Sequence, residues 1–252
     1  MTRTIAVAGK GGTGKTTIAA LLVKLLAEKG TVLAIDADPS SNLNIALGVP
    51  LYDTVGDVRE EMLAAIKSGS FSQGMAKQDY IDLRINEALV EAEGFDLLAM
   101  GRGEGPTCYC AANNMLRLCI DRLSGSYDYV VIDNEAGLEH LSRQTTRDVD
   151  DLIIVSDPSI RGIVTAGRVK EVLAEVRTRV GRVGLVLNRI NGDLPPAIAE
   201  AIAERDLELI ASIPHDPIVP VLDAQGRPLV ELPADSPVVL GVREIARRLG
   251  II

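Results

Sequence analysis

Lys10, Gly11, Gly12, Thr13, Gly14, Lys15, Thr16 and Thr17 follow one another after an apolar run at 4–8. An apolar-periodic stretch over 18–28 comes next. Glycines in such a loop let successive backbone N–H groups turn inward around phosphate oxygens, and the helix that follows adds partial positive charge at its N-terminus. Lys15 is placed to reach the β- and γ-phosphates of a nucleotide, and the Thr16 hydroxyl to ligate Mg²⁺. Asp36 and Asp38 close a second apolar run, and Asp133 closes a third. A carboxylate at a strand end beside a γ-phosphate can orient water and accept its proton, and Asp133 suits Mg²⁺, directly or through water. Cys108 and Cys110 flank one tyrosine. Two thiolates so spaced can chelate one soft or borderline metal ion, and two such pairs brought together in a symmetric dimer make a closed four-thiolate site.

These residues need a scaffold that brings strand ends together. Short β-branched runs lie at 5–8, 31–35, 96–100, 129–132, 152–155, 183–187 and 208–213, with helical patterns at 16–28, 115–123, 163–180 and 195–205. Strand and helix in alternation give a single α/β domain over 1–252 with a mainly parallel central sheet and helices on both faces. Ligands of such sheets sit at the carboxyl ends of the strands. The stretch 52–94 is less regular, with helix-like segments at 58–67 and 80–91, and is read as an insertion. Near the C-terminus Val238, Val242, Ile245 and Leu249 share one helical face, which suits packing on the sheet better than a membrane surface. Cys119, among Met115, Leu116 and Leu118, reads as core.

Composition narrows the classes. Of 252 residues, 47% are apolar, so a large core is available, and the absence of Trp leaves it aliphatic. A net charge of −9 speaks against a general nucleic-acid binder. With no signal-peptide pattern, no apolar run of membrane-spanning length and only three cysteines, a cytoplasmic, non-membrane protein is expected.

The Lys-Gly-Gly-x-Gly-Lys-Thr form of the loop, with Lys10 early in it, resembles the deviant Walker A P-loop ATPases. That superfamily includes septum-positioning and plasmid-partition ATPases, the nitrogenase iron protein, arsenite-pump ATPases and metal-insertion ATPases. The resemblance implies that Lys10 crosses a nucleotide-sandwich homodimer to the partner's ATP, so that the dimer forms or tightens on ATP. It places the water-orienting role on Asp38, which joins Thr16 and Asp133 on the Mg²⁺ side, and leaves Asp36 a structural or Mg²⁺-side carboxylate. Residues 134–140, Asn-Glu-Ala-Gly-Leu-Glu-His, resemble the second switch, in which Gly137 offers its N–H to the γ-phosphate. Asn188 and Arg189 resemble the motif whose Asn reads the adenine edge. Pro214, His215 and Asp216 resemble the second base-side loop, whose backbone contacts the purine.

The combination of the Lys10 loop, Cys108-Tyr109-Cys110 and Glu135-Ala136-Gly137-Leu138-Glu139-His140 is similar to the accessory ATPases that insert nickel into carbon monoxide dehydrogenase, and to the related factor for acetyl-CoA synthase. This resemblance covers most of the chain. It implies ATP and Mg²⁺ as cofactors, Ni²⁺ (or Zn²⁺) as cargo on Cys108 and Cys110, and a client nickel enzyme of one of those two kinds. A spatial-organisation ATPase gives the cysteine pair no role. An iron–sulfur electron-transfer protein uses the same thiolate count, but the nitrogenase iron protein takes its cysteines from two separate loops.

Overall fold

The computed structural model describes residues 2–69, 76–102, 110–135, 148–175 and 179–252, with the backbone alone at 110–113, 148, 174 and 175. Eight strands form one sheet: β1 (Arg3–Gly9), β2 (Val32–Ala37), β3 (Val90–Ala92), β4 (Phe95–Ala99), β5 (Tyr129–Asn134), β6 (Asp148–Ser156), β7 (Arg179–Ile190) and β8 (Leu209–Pro214). Their order is β3-β4-β2-β5-β1-β6-β7-β8, and every pairing is parallel except β3 with β4. The described helices are α1 (Lys15–Ala27), α2 (Leu43–Leu47), α3 (Val55–Ser68), α4 (Lys77–Ala88), α5 (Cys110–Leu123), α6 (Ile160–Glu175), α7 (Pro196–Glu204), α8 (Ile218–Ala224) and α9 (Pro237–Arg248).

Parallel strands need crossovers, and crossovers bury both faces of the sheet, which is why the central strands read as unbroken apolar runs rather than alternating ones. Period-two geometry then sorts their side chains. Ile5 and Val7 face α1, α2 and α9, while Ala6 and Ala8 face the core shared with α3, α5, α6 and α7. Cys119 is buried in that second core. The expected C-terminal face also packs inward: Val238, Val242, Ile245 and Leu249 are all buried against α1 and β8. At about 1.5–3 kcal/mol for each fully buried aliphatic side chain, that face suffices to anchor α9. No described helix is long and apolar enough to cross a membrane.

All seven expected strands are present. The helix expected over 80–91 ends at Ala88, because Val90–Ala92 pairs with β4 as a short antiparallel edge strand that periodicity did not show. The helix expected over 163–180 spans Ile160–Glu175, and Val180 belongs to β7, opposite Val149. The polar stretch around the cysteine pair reads as loop, yet Cys110, Asn113 and Asn114 lie in the first turns of α5. Tertiary packing of Met115, Leu116, Cys119 and Ile120 overrides the local preference of two asparagines.

The register fixes the site. Asp36 on β2 lies opposite Asp133 on β5, and Asp133 lies opposite Val7 on β1, two residues before the glycine loop begins.

Candidate active site

The loop from Gly9 to Gly14 is shaped by positions no other residue fills. Gly9 has φ 141°, and a Cβ there would stand 2.1 Å from the Val155 carbonyl oxygen of the neighbouring strand. Gly14, the residue before α1, has φ 95°, and a Cβ would stand 2.4 Å from the Asn188 amide nitrogen. Both values lie in the left-handed region that glycine alone enters without strain. The first turn of α1 carries no acidic residue and no capping side chain, so its N–H groups are open to an anion.

Lys15 is 8% exposed, and its ammonium sits 3.4 Å from the Lys10 carbonyl oxygen, which also accepts the Thr13 hydroxyl at 2.8 Å. Burial lowers the Lys15 pKa, opposed by the carboxylates of Asp133, Asp38 and Glu135. A cation desolvated in this way gains strongly when a phosphate arrives. The Lys10 side chain points outward, with its ammonium 3.9 Å from Asp157.

Asp133 is 1% exposed. One of its oxygens accepts the Thr16 hydroxyl at 2.6 Å, and the other is buried with no hydrogen-bond partner among the described residues. Burial pushes its pKa up to about 7, and the Asp36 charge adds to the rise. Asp36 is pushed up to about 6, again chiefly by burial. Its carboxylate accepts the backbone N–H groups of Asp38 at 3.0 Å and Leu43 at 2.8 Å, which folds the chain after β2 back on itself. Asp38 is half-buried, and its carboxylate accepts the Ser40 N–H at 2.8 Å in an Asx-type turn.

An orphaned buried carboxylate oxygen beside a hydroxyl is an all-oxygen donor set, which fits a hard divalent cation such as Mg²⁺. Among the described residues, at this site or any other, no three His, Cys, Asp or Glu side chains converge as a metal-binding group.

On the far side of the loop a cavity of about 350 Å³ joins Thr17 to Asn188, Arg189, Pro214, His215 and Asp216. The expected base-side residues therefore share one hollow. The Asn188 amide donates to the Thr13 carbonyl at 2.8 Å and accepts the Arg189 N–H at 3.0 Å, so it braces the phosphate loop as well as lining the cavity. Arg189 takes a left-handed backbone, φ 62°, at a register shift between β7 and β8. Such strain in a non-glycine residue persists where the surroundings enforce it. Asp216 is 6% exposed and accepts the Ile218 N–H at 2.9 Å and the Ser236 hydroxyl, locking the loop after β8.

Sequence reasoning gave no individual role to three participants. Asp157 faces Lys10 and Asp223 lines the cavity. Asn134 donates its amide to the Val7 carbonyl at 3.0 Å, tying the end of β5 to β1. Asp157 carried a readable signal, since Asp157-Pro158 closes a strand just as Asp38-Pro39 does. Gly137 and Cys108 lie outside the described residues, and of Cys110 only the backbone is described.

The chain is similar to known proteins along most of its length. The CobQ/CobB/MinD/ParA nucleotide binding domain family matches residues 4–229. The chain is 44% identical over 246 residues to an uncharacterized ATP-binding protein of Methanocaldococcus jannaschii, covering 97% of each chain. It is 32% identical over 237 residues to the carbon monoxide dehydrogenase accessory protein CooC of Rhodospirillum rubrum, covering 88% of this chain and 87% of that one. The septum site-determining protein MinD of Pyrococcus horikoshii, solved with Mg-ADP, superimposes with a TM-score of 0.72 at 28% identity, covering 98% and 95% of the two chains.

Proposed function

This chain belongs to the CobQ/CobB/MinD/ParA nucleotide-binding family, and we propose that within it the protein is an ATP-hydrolysing metallochaperone. In this reading Cys108 and Cys110 of two subunits hold nickel or zinc at a homodimer interface. ATP binding closes the dimer and hydrolysis resets it. The client is a nickel enzyme, carbon monoxide dehydrogenase or acetyl-CoA synthase, and likeness to CooC along most of the chain favours the first.

The observation that carries the proposal is a covalent and hydrogen-bonded path. Met100, the residue after β4, donates its N–H to the Asp36 carbonyl at 2.8 Å, and the chain then runs on to Cys110 at the head of α5. Residues 100–102, which lead towards the cysteine pair, thus start beside the carboxylate turn of the nucleotide site, and this adjacency supports coupling between the two.

The chemistry follows from charge. Lys15, the open N–H groups of α1 and the partner subunit's Lys10 offset charge on the transferring phosphoryl group, and the Asp38 carboxylate takes a hydrogen bond from the attacking water. Thr16 and Asp133 hold Mg²⁺, which when bound neutralises phosphate oxygens. Gly137 offers its N–H to the γ-phosphate, and Asn188, Arg189, Pro214, His215 and Asp216 enclose the base.

The likeness to MinD supports a second reading, an ATPase that organises cell components in space, in which the cysteine pair has no part. One experiment separates the two. Protein prepared anaerobically is given nickel or zinc, with and without a non-hydrolysable ATP analogue, and metal content is measured together with mass. One metal ion per two chains supports the metallochaperone. ATP-dependent dimers without metal above background favour the second reading.

A further inference from the structure

The cavity beside the phosphate loop has two kinds of wall. Pro214, Val219, Pro220 and Val238 supply flat apolar surface, which suits the faces of a purine. The polar side chains differ in what they have left to offer. Both Asp216 oxygens are occupied, by the Ile218 N–H and the Ser236 hydroxyl. The Asn188 amide already donates to Thr13 and accepts from Arg189. The Asp223 carboxylate also lines the cavity, is exposed, and has no hydrogen bond or ion pair among the described residues. It stands in the last turn of α8, which carries no basic residue, so the helix dipole disfavours it there. Local structure therefore gives Asp223 no reason to be acidic, while its place on the cavity does.

We propose that Asp223 is the nucleoside-reading carboxylate of the site: it accepts hydrogen bonds from a donor group of the bound nucleotide, either the exocyclic amine of adenine or the ribose hydroxyls. This rests on the ATP-site reading above. A carboxylate accepts and cannot donate, so it rewards a nucleoside that presents N–H or O–H and penalises one that presents a carbonyl or a bare carbon in that place. With Asn188 and Asp216 holding the loops, Asp223 is the acidic group of the cavity that changes partner when the nucleotide arrives.

The test is calorimetric binding of ATP, inosine triphosphate and 2′,3′-dideoxy-ATP to wild type, Asp223→Ala and Asp223→Asn. Inosine triphosphate lacks the amine, and the dideoxy nucleotide lacks the sugar hydroxyls. Asp223→Ala is expected to weaken ATP by about ten- to a hundredfold, the range of a hydrogen bond to a charged group. The analogue that lacks the recognised donor is expected to bind wild type that much more weakly, with no further loss on removing Asp223. If the amine is read, inosine triphosphate shows this pattern; if the sugar is read, the dideoxy nucleotide does. Unchanged ATP binding by both variants overturns the proposal, and so does equal weakening of all three nucleotides. Asp223→Asn keeps the size of the side chain and carries the test alone if the alanine variant melts early. A wild-type chain that binds none of the three sinks the ATP-site reading instead.

Discussion

The Thr16 hydroxyl donates to the Asp133 carboxylate at 2.6 Å, joining the first turn of α1 to the carboxyl end of β5. Among the described residues, that single bond leaves the other Asp133 oxygen buried without a partner, opposite the equally buried Asp36. The arrangement is unfavourable to a nucleotide-free carboxylate, and pH exposes the cost.

Asp133 titrates near 7 and Asp36 near 6 in the fold, against a reference of 3.8 for each. Folded values above the unfolded one mean that the unfolded chain loses its protons first as pH rises. Stability is therefore highest below about pH 4 as far as this pair is concerned, and falls by a few kcal/mol towards about pH 7. Asp133→Asn is expected to melt several degrees above wild type at neutral pH and to lose that advantage near pH 4, while ATPase activity drops at least about a hundredfold. Thermal melts without nucleotide across this range check it, and parallel pH curves for the two proteins would refute it.

Asp216 is a structural clamp with a functional consequence. It accepts the Ile218 N–H in an Asx-type turn leading into α8 and holds Ser236, which precedes α9. Asp216→Ala leaves the Ser236 hydroxyl buried without its acceptor and frees the Ile218 N–H, which costs about 2 kcal/mol. Urea unfolding is expected to show that loss together with weaker ATP binding. Ser236→Ala on the Asp216→Ala background should add little, because both substitutions break one bond. Full additivity would show that the two side chains act independently.

What the sequence revealed and what it hid divide along a physical line. The seven parallel strands and the glycine loop were legible because buried strands need uninterrupted β-branched runs and the loop needs glycine at fixed places. The short edge strand at Val90–Ala92 was not, since three residues leave no period to detect. Nor was the helical state of Asn113 and Asn114, which depends on what Leu116 and Ile120 bury against. At the site, the identities of Lys15, Thr16 and Asp133 could be read from spacing. The bracing of Thr13 by Asn188 could not, because that contact spans 175 positions and exists only once β7 lies beside the loop.

Lys10 offers the cleanest separation of dimer formation from folding. Its side chain is about half exposed, with the ammonium 3.9 Å from a similarly exposed Asp157, a pair that contributes at most about 1 kcal/mol. Lys10→Ala should therefore melt within a few degrees of wild type and still bind ATP through Lys15 and the α1 N-terminus. It should lose the ATP-dependent dimer and most of the turnover. Light scattering with a non-hydrolysable analogue decides the matter, and dimers that persist in the variant would exclude a bridging role for this lysine.

Cys119 and the Cys108–Cys110 pair make a controlled comparison within one protein. Burial pushes the Cys119 thiol up to about 12, so it stays protonated at neutral pH and is a poor metal ligand. Its 6% exposure places it in the core, beside Met115 and Leu116. Cys119→Ala is expected to lower stability by roughly 1 kcal/mol through the small void left behind, and to leave metal content unchanged. Replacing both Cys108 and Cys110 with Ala is expected to do the reverse, abolishing nickel binding while ATPase activity stays within about twofold of wild type. Metal retained by the wild type should also weaken as pH falls, since thiols must lose protons to bind it. If the Cys108/Cys110 double variant holds nickel as well as wild type, the cargo site lies elsewhere and the assignment of metal to this pair is wrong.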